Sequence, residues 1–234
     1  MKITAANSGR ADSRQQIQDF FRRLRAQAAQ VNFFLEIGEG DKPELYDERE
    51  ELNRCWPRKD WRQFRSTLWE TREPIIVSRR LEVGPPSSII VKGSAVPHWN
   101  PTRRVNRVPV RAEGNWWLAA YNVHLAAGAH NGERPPGAKE ALLRSWDLTV
   151  AVLRREIKVD VNAGMPVVLN IDPNDNRGFD VHRYVHQDAR VLYEHGPNLI
   201  VGVGMKTVGD PRLTPGFESI HPGVTLQLRK ENRQ

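Results

Sequence analysis

The sequence predicts an α+β fold, a four-layer α/β/β/α sandwich with two mainly antiparallel sheets, and three observations carry that reading. Helical periodicity occurs in two segments, one in each half of the 234 residues. The strand-like runs mostly follow one another without an intervening helix, which a doubly wound parallel fold does not do. A hydrophobic content of 39% with 27% charged residues is that of a folded globular chain, and this length suits one large core. Residues 1–234 are therefore read as a single domain.

The elements follow in order. Lys2 to Ala6 is a short strand. Ser13-Arg14-Gln15-Gln16 fits a capping box, and Ile17, Phe20, Phe21, Leu24 and Ala28 then lay one apolar stripe along a helix. Val31 to Ile37 is a buried strand that breaks off at Gly38 and Gly40, with Glu36 at its end. A weak helix is expected over 44–53. Strands follow at Pro74 to Ser78, Ser88 to Lys92, Arg107 to Arg111 and Trp116 to Val123, separated by Gly, Pro and Asn. In the last of these, Trp116 and Trp117 point to opposite faces, so one of them is expected in the core. Gly137 to Lys158 is the second helix, with Leu142, Trp146, Val150 and Leu153 on one stripe. Pro166 to Leu169, Leu199 to Val203 and Gly223 to Leu228 complete the strands.

Lys and Arg number 35 against 28 Asp and Glu, a formal +7, which favours polyanionic partners. From Arg79 to Arg111 there are seven Lys/Arg and one acid, Glu82. Within it, Trp99, Arg103, Arg104 and Arg107 interleave a ring with cations in a loop suited to nucleic-acid backbone contact and base stacking; a solvated basic loop has the same composition. Cys55 is the only cysteine, which excludes an intramolecular disulfide and a multi-cysteine zinc site. No secretory signal or membrane-spanning run is visible, so a cytoplasmic protein without a membrane partner is expected.

Polar residues of catalytic type stand at the ends of the predicted strands: Asn7, Glu36, His124, Asp172 with Asn174, and His221 just before the last strand. Oxygen ligands such as Glu36, Asn7 and Asp172 suit a hard divalent cation. His124, His221 and a nearby Arg are suited to polarising a phosphate and assisting a leaving oxygen. Each also has a plainer reading, with Asp172 to Asn176 as a turn, Glu36 as a turn residue and His124 as a sheet histidine.

In their order along the chain these segments resemble the endonuclease/exonuclease/phosphatase superfamily, of the deoxyribonuclease I type, over nearly the whole sequence. Lys2-Ile3-Thr4-Ala5-Ala6-Asn7 is similar to the family's first strand ending in a metal-site Asn. Phe33-Phe34-Leu35-Glu36 is similar to the strand ending in Gln-Glu, with Leu35 in place of Gln. Tyr121-Asn122-Val123-His124-Leu125 resembles Asn-x-His-Leu, and Val167 to Asn174 resembles the strand ending in Gly-Asp-Phe-Asn. Ser219-Ile220-His221 resembles the terminal Ser-Asp-His, with Ile220 at the Asp position, and Asn198 stands where another Asp is expected. Thr71-Arg72-Glu73-Pro74 resembles a segment whose Arg contacts phosphate.

The resemblance implies a metal-dependent phosphodiester hydrolase, a nuclease acting on nucleic acid, with DNA favoured over RNA. It implies Mg²⁺ (or Mn²⁺) at Glu36 and Asn7, Asp172 orienting the attacking water, and Asn174, His124 and His221 binding and polarising the phosphate. Arg72, Arg103, Arg104 and Arg107 are the substrate-binding candidates. Ile220 and Asn198 motivate a competing reading, a catalytically weak or inactive member of the fold that binds nucleic acid or protein.

Overall fold

In the computed structural model, which describes residues 1–7, 13–37, 48–64, 73–91, 103–112, 115–130, 132–195, 198–216 and 222–231, the chain passes through β1 (Lys2–Asn7), α1 (Arg14–Ala26), β2 (Val31–Leu35), α2 (Glu48–Cys55), β3 (Trp61–Phe64), β4 (Ile75–Ser78) and β5 (Glu82–Val83). It continues through β6 (Ser87–Val91), β7 (Arg103–Ala112), β8 (Trp116–His124), α3 (Pro136–Asn162), β9 (Val167–Asp172) and α4 (Val181–Tyr184). The last strands are β10 (Ala189–His195), β11 (Asn198–Val203), β12 (Met205–Thr207), β13 (Arg212–Thr214) and β14 (Gly223–Lys230).

The strands form two sheets. One has the order β12-β14-β1-β2-β4-β3, with β13 also on β14; the other has the order β10-β11-β9-β8-β7-β5, with β6 also on β7. Each sheet contains one parallel pair among the described strands, β1 with β2 and β8 with β9, and the remaining pairs are antiparallel. Strands joined in parallel end at the same edge. That places the residues ending β1 and β2 side by side, and likewise those ending β8 and β9.

Three apolar layers follow from strand alternation. Ile3, Ala5, Phe33, Val77 and Val224 of the first sheet meet Val108, Leu118, Ala120, Val168 and Ile200 of the second. The opposite faces carry the other register. Ala6, Phe34 and Ile76 pack under Ile17, Phe20, Phe21 and Leu24 of α1 and Leu52 of α2, and Tyr121, Val123, Leu169 and Val201 pack under Leu142, Trp146, Val150 and Leu153 of α3. This is the predicted α/β/β/α sandwich. Ser13 caps α1 by accepting the Gln16 N–H at 3.3 Å, as the box implied.

Several elements differ from expectation. β3, β5, β10, β12, β13 and α4 were not anticipated: they are short, or, like β10, largely exposed and without clean alternation. The second helix runs to Asn162 because Ile157 and Val161 extend its buried stripe. Arg103 and Arg104 lie in β7 and not in a loop; pairing with β6 extends that strand toward its N-terminus. Trp116 and Trp117 are both half-buried, since they open β8 at the sheet margin. Among the described residues no helix is long and apolar enough to cross a membrane.

The contact between β14 and α1 is tight at one point. A Cβ on Gly223 would lie 2.3 Å from Leu24 Cδ2 and 3.5 Å from Phe20 Cε2, both in fully buried side chains. Gly223→Ala should therefore lower stability by about 1–2 kcal/mol in urea unfolding, through repacking of Leu24; a neutral change would mean that Leu24 has an alternative rotamer at no cost.

Candidate active site

At one end of the sandwich the apolar layer between the sheets gives way to amides, carboxylates and a histidine. On the inner face of the second sheet Asn106 pairs with Asn122 across β7 and β8, and Asn122 with Asn170 across β8 and β9. Asn170 Nδ2 donates to Asn122 Oδ1 at 2.8 Å. Asn122 Nδ2 in turn donates to the carbonyls of Phe34 (2.7 Å) and Pro74 (3.2 Å) in the opposite sheet, and Asn106 Nδ2 to that of Glu73 (3.1 Å). Asparagine is disfavoured in strands. Here three of them stitch the two sheets together beneath the polar cluster, so the strand ends of both sheets are held in one geometry.

Two residues beyond this floor, on the same face, His124 and Asp172 stand opposite each other at the ends of β8 and β9. His124 Nε2 is 3.8 Å from Glu36 Oε1 and 3.8 Å from Asp172 Oδ2, and Nδ1 is 4.0 Å from Glu73 Oε1. Three acidic residues from three segments thus surround one buried imidazole. Asn7, 1% exposed, pairs with Leu35 across the parallel β1–β2 ladder and so sits beside the Glu36 turn. Glu36 has φ 57° and Asn174 φ 48°, both in the left-handed region, which side chains other than glycine rarely adopt. Strain of this kind collects where a scaffold aims functional groups.

Burial pushes the Asp172 carboxyl up to about 7; the Asn174 backbone N–H at 3.0 Å opposes the shift, the charge of Glu36 adds to it and that of Arg103 opposes it. Asn174 Nδ2 donates to the Leu125 carbonyl at 3.0 Å, so this residue positions both the end of β8 and the Asp172 carboxylate. Trp146 of α3 reaches the same loop, donating from Nε1 to the Pro173 carbonyl at 2.8 Å. Asn198 precedes the Leu199–Ile171 pair at the start of β11, and its buried Oδ1 has no hydrogen-bond partner. Among the described residues no group of three His, Cys, Asp or Glu side chains forms a ready metal cage.

The fold therefore brings together Asn7, Glu36, His124, Asp172 and Asn174. Arg103 and Arg104 are buried near the start of β7, and Arg103 is close enough to act on Asp172. Arg107 is not part of the cluster. It pairs with Tyr121 on the helix-facing side of the sheet and binds Asp160 of α3 through Nε (2.7 Å) and an Nη (2.5 Å), while the Tyr121 hydroxyl donates to the same carboxylate. Strand alternation, which puts Asn106 inward and Arg107 outward, is the physical reason. His221 and Arg72 lie outside the described residues, as do Trp99 and Ile220. Glu73 and the three asparagines were missed by sequence reasoning. The available signals were an acid directly before the Pro74 strand and amides in the middle of otherwise apolar strands.

No family model matches the sequence, and no curated protein matches it. Solved structures do match. A truncated TDP2 of Caenorhabditis elegans is 10% identical, with a TM-score of 0.64 over 97% of this chain and 98% of that one. A mannosyl-6-phosphatase of Bacteroides thetaiotaomicron is 12% identical, with a TM-score of 0.63 over 97% and 99%. An endonuclease/exonuclease/phosphatase protein of Beutenbergia cavernae is 13% identical, with a TM-score of 0.64 over 99% and 72%. At such identity the likeness speaks for architecture, and this chain has the endonuclease/exonuclease/phosphatase fold.

Proposed function

We propose that this chain is a phosphoester hydrolase acting on phosphodiesters of nucleic acid. The observation that carries the proposal is the convergence of Glu36, His124 and Asp172 at the strand ends, with the Asp172 carboxyl pushed up to about 7. The fold supports it, since the solved structures that share it include a phosphatase. A carboxyl with that affinity for protons is matched to general-base work near neutral pH.

The residues present fit a hard divalent cation. Glu36 and Asp172 offer carboxylate oxygens, the orphaned Asn198 Oδ1 is a further buried oxygen at the start of β11, the strand paired with β9, and Mg²⁺ commonly takes one or two carboxylates with water completing its shell. Glu36, with Asn7 beside it, would hold the ion, which when bound supplies charge neutralisation at the phosphoryl oxygens. Asp172, fixed by the Asn174 N–H, orients a water and takes its proton as the water oxygen attacks phosphorus in line. His124, facing both carboxylates, contacts the phosphoryl oxygens, and His221 joins it in polarising them. The bond from phosphorus to the leaving oxygen breaks, and that oxygen takes up a proton from solvent water. Arg103 and Arg104 supply positive charge toward the nucleic-acid backbone. Arg72 is the other candidate for phosphate contact.

The test is hydrolysis of plasmid DNA and of a labelled RNA with Mg²⁺ or Mn²⁺ and with a chelator. Wild type should cleave only with metal, and Glu36→Gln and His124→Ala should each lose about 10²-fold or more in rate. The departures at Asn198 and Ile220 favour the competing reading, a nucleic-acid-binding module; binding that weakens with salt and no turnover with either metal would establish that reading and sink the hydrolase.

A further inference from the structure

The opposite end of the first sheet carries a concave site that takes no part in the chemistry above. The C-terminal end of α1, the turn into β3 and the turn after β4 enclose a cavity of about 640 Å³, lined by Arg25, Lys59, Arg79 and Arg80, with Asp60 as its one acidic side chain. Four cations against one carboxylate give the lining a formal +3. Strand β2 runs from Val31, beside this cavity, to Leu35, beside Glu36. At about 3.3 Å per residue, the six steps from Gln30 to Glu36 separate the two sites by about 20 Å.

The cations here are not consumed by the fold. No ion pair involves Arg25, Lys59 or Arg80 among the described residues. Arg25 lies 4.7 Å over the Trp61 ring, and Arg79 Nε donates to the Arg58 carbonyl at 2.7 Å, so two guanidinium groups are held in place at the cavity. Trp61 itself is 5% exposed, and its indole Nε1–H has no hydrogen-bond partner. A buried indole N–H ordinarily finds an acceptor. A donor without an acceptor, in a ring that one guanidinium covers and that lines a cavity with four cations and a single carboxylate, is an arrangement that an anion completes. The planar fork of arginine fits the oxygens of a phosphate, and the volume is that of a small-molecule site.

The geometry points to a second anion site at which Trp61 Nε1–H, Arg25 and Arg80 hold a phosphate group, carried by a free nucleotide or by a nucleic-acid strand. The site stands independently of the hydrolase reading. The indole N–H resonance of Trp61 in ¹⁵N-labelled protein reports on it directly. Trp61→Phe assigns that resonance, and Arg25→Gln, which removes the cation over the ring, assigns it again should the Phe variant not fold.

Titration with inorganic phosphate at constant ionic strength should shift this resonance saturably. Arg25→Gln and Arg80→Gln should each weaken the dissociation constant about tenfold, the effect of losing one charged hydrogen bond. Parallel titrations with adenosine monophosphate and with a short single-stranded oligonucleotide separate the sources: equal affinity assigns the site to a single phosphate group, and tighter oligonucleotide binding assigns it to a strand. No saturable shift with any of the three, or the same affinity in both Arg variants, overturns the proposal. Asp172→Asn should leave the Trp61 titration unchanged, so failure here and failure of the hydrolase reading are distinguishable.

Discussion

Asp172→Asn is expected to abolish hydrolysis, lowering the rate by about 10³-fold or more, while making the metal-free protein more stable at alkaline pH. The two effects share one cause. Asp172 is 4% exposed, and its environment raises its carboxyl from the ordinary aspartate range to about 7. The folded state thus holds a proton that the unfolded chain releases near pH 3.9. Its contribution to stability is fully present below the unfolded value and is lost as pH rises through about 7. Three pH units correspond to about 4 kcal/mol, so near pH 8 the ionised carboxylate costs the metal-free fold an amount of that order. Asparagine has no ionised form and keeps an oxygen for the Asn174 N–H. In a chelator, the variant should therefore gain about 2–4 kcal/mol over wild type near pH 8 and nothing near pH 4. Excess Mg²⁺ should narrow the difference, since a cation that binds the folded wild type stabilises it by mass action. Urea unfolding at both pH values, with and without Mg²⁺, checks each arm. A variant less stable than wild type near pH 8 in chelator would mean that the carboxylate is already paired without metal.

The sequence made this site legible because each of its members ends an apolar run. Asn7, Glu36, His124 and Asp172 stand at or just past the last residue of β1, β2, β8 and β9, where hydrophobic periodicity stops and a polar side chain is conspicuous. The four layers were legible for a related reason: the stripes of α1 and α3 and the continuous buried runs of β2, β9 and β11 leave little choice of face. What failed was anything set by pairing between distant segments. β10 and β3 are strands because β11 and β4 offer them a ladder, and their own residues show little alternation. The amide floor of Asn106, Asn122 and Asn170 needs two sheets in contact before its purpose shows, since its acceptors are backbone carbonyls of the other sheet. Glu73 was hidden behind Arg72, the more conspicuous neighbour. Composition grouped Arg103, Arg104 and Arg107 as one basic stretch, whereas alternation in β7 divides them between two faces of a sheet.

That division predicts opposite consequences for neighbouring arginines. Arg107→Ala should cost about 3–5 kcal/mol of stability, because it strands Asp160 in the layer between the second sheet and α3. Asp160 is 3% exposed, and after the substitution only the Tyr121 hydroxyl would remain on it. Burial and the bond to Asp160 hold the Tyr121 hydroxyl well above its ordinary pKa, so it stays a neutral donor, and a phenol supplies no positive charge to the carboxylate. Such a loss is a large share of the roughly 5–15 kcal/mol that typical domains possess. Yet the rate per folded molecule and the affinity for DNA should not change, since Arg107 points away from the cleft between the sheets. Arg104→Ala should do the reverse, weakening DNA binding and flattening its dependence on salt, because a cation lost from a backbone contact reduces the counterions released. A charge-free replacement of the buried pair, Arg107→Met with Asp160→Leu, should recover most of the stability lost in Arg107→Ala, as apolar replacements of buried ion pairs commonly do. Urea unfolding of the single and double variants beside a salt titration of DNA binding separates these roles; weakened binding by Arg107→Ala at full folding would return that arginine to the substrate face.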